Sequence, residues 1–170
     1  MLVLGVDPGT ATTGFGLVRF DSGALQAVSF GTLTTPAGLP LPQRLQLLYR
    51  DATKLLAAHR PTEAAVEELF FARNARTALA VGHARGVLLL ALADAGLTVH
   101  EYTPMQVKQA ITGYGRASKE QMQAMVRLLL SLEEVPRPDD VGDALALAIC
   151  HVHFSSTARA LSASGAGGGT

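Results

Sequence analysis

Apolar positions along this chain follow two rhythms. Near the N-terminus they form short runs cut by turn residues, and further on they recur at helical spacing. Leu2 to Val6 is an apolar run ending at Asp7, which predicts a buried strand. Asp7-Pro8-Gly9-Thr10 is a turn. Gly14 to Phe20 predicts a second strand, Asp21-Ser22-Gly23 a hairpin turn, and Leu25 to Leu33 a third strand. Pro36 to Pro42 is a loop. Gln43 to His59 carries Leu45, Leu48 and Leu55 at helical spacing, and Arg60-Pro61 ends that helix. Ala64 to Leu69 predicts a fourth strand. A long helix runs from an Asn74 cap to about Ala95, with Gly96 as terminator, and Leu97 to Tyr102 is a fifth strand. Pro104 to Ile111 predicts a short helix, and Ser118 opens another that continues to Leu132. After Pro136 and Pro138, Asp139 or Asp140 caps a last helix reaching about Ala160. The order predicts an α/β fold. Its mixed five-stranded sheet is flanked by helices on both faces, and a right-handed crossover sets the fourth strand beside the first. The single domain is expected over residues 1–160, with 161–170 a disordered Gly-rich tail.

Composition narrows the function classes. At 48% hydrophobic and 16% charged residues the chain is a folded globule rather than a disordered segment. The richest apolar run, Val87 to Ala93, is too short to span a bilayer. The first residues lack a basic leader, and Cys150 is the one cysteine, so no internal disulfide forms; a cytoplasmic location is expected. Net charge is zero, which argues against an indiscriminate basic nucleic-acid binder. Its distribution is uneven. Between Phe70 and Arg127 seven basic side chains meet three acids, while acids gather in Glu133-Glu134 and Asp139-Asp140. A phosphate-binding face beside an acidic pocket produces such segregation, as do ordinary solvated helix faces.

The acids carry the candidate chemistry. Asp7 ends the first strand, at the edge where open α/β sheets place their sites, although a turn-forming Asp before Pro-Gly reads the same way. Glu67 and Glu68 interrupt an apolar strand; alternation lets only one share a site with Asp7 and does not say which. Asp140 and Asp143, three apart, share one face of the last helix. Helix capping explains the first better than the second, since Ala144 to Ile149 continues as a buried run. Such carboxylates, brought together, cannot all stay ionised without cations. Mg²⁺ or Mn²⁺ suits open carboxylate sites, and two ions about 4 Å apart support phosphoryl transfer. No Cys/His cluster is expected to compete for zinc: His151 and His153 do not share a helix face, and both are read as core or solvent residues.

Gly5-Val6-Asp7-Pro8-Gly9-Thr10 with Gly14-Phe15-Gly16, then Val66-Glu67-Glu68-Leu69-Phe70, Gln106-Val107-Lys108-Gln109 and Asp140-Val141-Gly142-Asp143-Ala144-Leu145-Ala146 closely resemble the RuvC family of bacterial Holliday-junction resolvases. The likeness reaches about Phe154. It implies an RNase H-like fold, a homodimer, and a DNA endonuclease that makes paired symmetric nicks in a four-way junction during recombination and repair. It also implies partnership with the RuvA–RuvB branch-migration complex. It assigns the catalytic, metal-holding carboxylates to Asp7, Glu67, Asp140 and Asp143, and so favours Glu67 over Glu68. Some relatives carry histidine where this chain has Asp140. The resemblance places Lys108 and Lys119 near the scissile phosphate and Phe70 against bases at the junction centre, where stacking contributes roughly 1–3 kcal/mol. Arg73, Asn74, Arg76 and Arg116 are expected at the DNA rim. The helix from Asn74, rich in small residues, is the expected dimer face, since a two-fold dimer delivers two sites to two strands.

Three rivals are weighed. Asp-Pro-Gly-Thr also resembles the phosphate loop of actin-like kinases, which need two lobes that this length does not supply. A non-catalytic junction binder would keep the basic rim but has no use for acids facing anionic DNA. Another RNase H-like nuclease would share the fold and act on a different nucleic acid.

Overall fold

The computed structural model describes residues 1–68 and 75–165. Phe70, Arg73 and Asn74 lie outside the described residues, and Arg76 is described only as backbone. Five strands, β1 (Leu2–Asp7), β2 (Thr12–Asp21), β3 (Ala24–Thr34), β4 (Glu63–Glu67) and β5 (Thr98–Tyr102), form one sheet in the order β3-β2-β1-β4-β5. The first three make the expected antiparallel meander, and β4 joins β1 in parallel with β5 beyond it.

Helices α1 (Leu41–His59) and α2 (Ala75–Asp94) cover one face, where Leu4, Val6, Ala64 and Val66 meet Leu48, Leu56, Leu88 and Leu92. The other face, with Val3, Val18, Ala65 and Tyr102, packs against α3 (Pro104–Thr112), α4 (Lys119–Leu129) and α5 (Asp139–Gly165). Helix α5 is the axis of that layer. Its Val141, Ala144, Leu145, Ala148, Ile149, Cys150 and Val152 are fully buried. Burial of so many apolar side chains at about 25 cal/mol per Å² outweighs the presence of acids at its start.

Two boundaries differ from expectation. α1 begins at Leu41, inside the expected loop, because Pro40 caps it and Pro42 sits in its first turn, where a missing N–H is harmless. α5 runs to Gly165, past the expected end near Ala160 and into the expected tail. Ala and Ser make up most of that extension, and Ala is the best helix former.

Candidate active site

Register brings the first two carboxylates together. Val6 of β1 lies opposite Val66 of β4, so Asp7 and Glu67 follow side by side at the carboxyl ends of adjacent parallel strands. Val6 and Val66 both point to the α1/α2 layer, so alternation turns Asp7 and Glu67 toward α5. Glu67 lines the resulting cleft, while Glu68 is exposed and its amide donates to Tyr102 O at 2.9 Å. Behind Asp7 the turn is braced from within: Thr13 Oγ1 donates to Gly9 O at 2.8 Å and accepts from Gly9 N at 3.2 Å.

The helical acids reach this edge because three strand residues have no side chain. A Cβ at Gly5 would run into the backbone of Ala144, one at Gly14 into the backbone of Asp140, and one at Gly16 into Leu145. Gly14 is also the β2 partner of Asp7. The first turn of α5 therefore lies directly over the strand ends, with Asp143 turned into the cleft.

The cleft has a volume of about 250 Å³ and is lined by Asp7, Glu67, Asp143, Lys108 and Lys119 over a floor that includes Val107, Met122 and Leu147. Asp140 does not line it, yet its charge is felt there: Asp7 is pushed up to about 7 by burial first, then by the charges of Asp143, Asp140 and Glu67. Burial, with the charge of Asp143, also raises Glu67. Asp143 is raised by burial against the opposing pull of Lys119. No three of the four carboxylates have oxygens all within 4.8 Å of one another. Asp7, Glu67 and Asp143 line the cleft without converging on one point.

Both lysines are set by capped helix starts. In α3, Thr103 and Gln106 form a reciprocal capping box, and Lys108 follows within the next turn. In α4, Ser118 and Gln121 do the same, which leaves Lys119 as the first helical residue. Lys119 Nζ lies 3.0 Å from Asp139 Oδ2 and 3.5 Å from Asp143 Oδ2. Gln123 Nε2 donates to Asp139 Oδ1 at 2.8 Å, and Arg137 Nη1 donates to the same oxygen at 2.8 Å. The Lys119 bond holds Asp139 below the usual carboxylate range. Asp139 was weighed in the sequence only as a helix cap; the structure makes it the anchor of Lys119. A polar Gln123 three residues before Val126, on the apolar face of α4, is the signal the sequence carries. Arg116 is exposed and is not among the cleft residues.

One expectation is corrected. A histidine cluster does exist: Glu63, His100 and His151 offer ligand atoms that all lie within 4.8 Å. They come from β4, β5 and α5, elements far apart in sequence, so no short spacing revealed them. His151 is buried, and His153 Nδ1 lies 3.0 Å from Ala110 O.

The profile of the family described as "Crossover junction endodeoxyribonuclease RuvC" matches residues 3–151. The chain belongs to the RuvC family. A RuvC of Chloroflexus aurantiacus is 59% identical over 157 residues, covering 92% of this chain and 96% of the relative. One from Heliobacterium modesticaldum is 58% identical over 153 residues, covering 90% and 94%. Among solved structures, Thermus thermophilus RuvC in complex with Holliday junction substrate superposes with a TM-score of 0.88 at 38% identity, covering 93% of this chain and 96% of that one. RuvC membership makes the chain a hydrolytic DNA endonuclease, and the sheet and helices described above are the RNase H-like architecture the resemblance implied.

Proposed function

We propose that this chain resolves four-way DNA junctions by paired symmetric nicks. In this reading Asp7, Glu67, Asp140 and Asp143 hold two divalent ions, Mg²⁺ or Mn²⁺. The observation that carries the reading is the meeting of Asp7, Glu67 and Asp143 with Lys108 and Lys119 in one cleft, at the carboxyl ends of β1 and β4. Burial, and then crowded anions, raise Asp7 to about 7, and the donor set fits hard cations by its chemistry: an all-oxygen, anionic surround. Bound there, such ions supply Lewis acidity and an activated water.

The protein's own groups do the rest. Asp7 and Glu67 stand on rigid strand ends, so their oxygens are preorganised toward the cleft. Lys119, held by Asp139, presents an ammonium where a phosphate's charge would develop. Lys108 adds positive charge to the same cleft and pulls Glu67 down against its burial. Phe70, Arg73, Asn74, Arg76 and Arg116 extend this reading as DNA contacts on the family resemblance.

A homodimer belongs to the same reading. On the outer side of α2, Leu79 and Leu90 are exposed, and a Cβ at Gly82 or Gly86 would meet nothing within 4 Å. An open face of small and apolar residues is what a second copy needs for close helix approach. Partnership with RuvA–RuvB and a cytoplasmic location rest on the family alone; among the described residues no helix is long and apolar enough to cross a membrane.

The test is a labelled four-way junction beside a matched linear duplex, each with and without Mg²⁺ or Mn²⁺, with cuts mapped at nucleotide resolution. Symmetric, metal-dependent nicks confined to the junction support the reading. Equal cutting of linear or hybrid duplex would leave a nuclease and remove the resolvase, and binding without cutting in either metal would leave a junction binder.

A further inference from the structure

On the α5 side of the sheet, at the opposite end of β4 from Glu67, Glu63 receives two imidazoles. His151 Nε2 lies 2.7 Å from Glu63 Oε2, and His100 Nε2 lies 3.4 Å from the same oxygen. The two rings are stacked, with centroids 4.2 Å apart and an interplanar angle of 30°, and both turn Nε2 toward the carboxylate. Tyr102 holds His151 from behind: its hydroxyl lies 2.7 Å from Nδ1. A hydrogen bond on Nδ1 fixes the ring and leaves Nε2 as the inward atom, the arrangement that orients histidine ligands in metal sites. The His100 side chain is 36% exposed, which gives an entry path, whereas His151 is buried.

We propose that Glu63, His100 and His151 form a second cation site, distinct from the carboxylate cleft and selective for a borderline transition ion such as Zn²⁺. Around a tetrahedral ion with bonds of about 2.0–2.1 Å, neighbouring ligand atoms lie roughly 3.3 Å apart. The His100–Glu63 separation already matches, and His151 and Glu63 need to open by about half an ångström. Two imidazoles and one carboxylate favour Zn²⁺, Co²⁺ or Ni²⁺ over Mg²⁺, which prefers oxygen and retains its waters.

The location gives such an ion consequences. β4 carries Glu63 at its start and Glu67 at its end, about 13 Å apart at the usual strand rise. α5 carries His151 about 12 Å beyond Asp143. An ion at the distal site therefore clamps together β4 and α5, two of the three elements that present carboxylates to the cleft, without touching the cleft itself.

The experiment uses the full chain without a histidine tag, stripped with chelator and returned to excess Mg²⁺ to fill the carboxylate cleft. Zn²⁺ is titrated by calorimetry, and Co²⁺ is followed by its visible absorption. One bound ion per chain is expected, together with a Zn²⁺-dependent rise in melting temperature. His100→Ala and Glu63→Gln should each weaken binding by more than the ~10–100-fold typical of losing an outer partner, and Tyr102→Phe by about that factor. His59→Ala, a histidine on the far layer, should leave binding unchanged. Circular dichroism of each variant separates lost binding from lost fold. No Zn²⁺ or Co²⁺ binding by the wild-type chain, or equal affinity in a folded His100→Ala variant, would overturn the proposal and leave a hydrogen-bonded cluster.

Discussion

Replacing Asp7 by Asn should remove activity and at the same time stabilise the metal-free protein. Asp7 rises from 3.8 to about 7, chiefly through burial and then through three neighbouring carboxylates. For an acid, a raised folded-state value means that the ionised group destabilises the fold. The penalty is absent below about pH 4, grows as pH climbs, and is complete above about pH 7. A rise of about 3 pH units at about 1.36 kcal/mol each gives roughly 4 kcal/mol as the ceiling. Glu67 and Asp143 are coupled to Asp7, so relaxation among them returns part of this, and roughly 2–4 kcal/mol is the expected gain for Asp7→Asn at pH 8.

Urea unfolding of wild type and variant in chelator, at pH 4, 6 and 8, reads this directly. For a domain of this size the gain at pH 8 corresponds to roughly 4–16 °C in melting temperature. The two proteins should converge at pH 4. Mg²⁺ should stabilise wild type more than the variant, because the ions neutralise the charge that the substitution deletes. Cutting should fall at least ~100-fold, in keeping with loss of an essential electrostatic group, while junction binding is kept or tightened. A variant less stable than wild type at pH 8, or a difference that does not change between pH 4 and pH 8, would refute the argument that these acids repel one another around the cleft. Unchanged cutting would refute the catalytic role.

Other expectations follow from the same geometry. Lys119→Ala should slow single-turnover cleavage by roughly 10²–10³-fold with little change in junction affinity, since it faces the cleft as one charge among many DNA contacts. Asp139→Asn should reproduce a weaker form of that defect, because Lys119 would lose its nearer anchor; wild-type rates would show that Lys119 needs no anchor. Gly5→Ala should destabilise by about 3 kcal/mol or more in chemical denaturation, as the new methyl meets the α5 backbone rather than a side chain that can move. Cleavage should weaken as pH falls below 7, since Asp7 gains a proton there, and high Mg²⁺ should shift the loss to lower pH by competing with that proton.

The strands and the approximate helix order were legible because their apolar runs and turn residues agree locally. Asp7 was legible as a strand-end acid, and strand alternation narrowed Glu67 and Glu68 to one without choosing. The choice depends on which layer Val66 faces, a tertiary fact that no local pattern carries. Asp143 announced itself as an acid entering an apolar run. Its environment, though, depends on Gly5, Gly14 and Gly16, whose bare Cα atoms let the helix settle on the sheet. Asp139 misled as a simple cap, because its partners Lys119 and Gln123 come from a different helix. The Glu63, His100 and His151 group was invisible for the same reason: parallel strands and a crossing helix bring together residues that share no sequence window.

The glycine cradle explains why the acidic cleft does not relieve its own repulsion. An exposed acidic helix start would swing away from Asp7. α5 does not, because the residues that follow Asp143 are sealed in the core from Ala144 through Val152. Shifting the first turn outward would drag Ala144 and Leu145 off Gly5 and Gly16, opening cavities at about 24 cal/mol per Å³. Packing thus holds the carboxylates at a spacing their charges disfavour, and that stored repulsion is a standing demand for cations. Rigid burial on one side and crowded charge on the other therefore belong to a single device. The apolar register of β1, β2 and α5 sets the positions, and the acids at their ends turn those positions into affinity for metal.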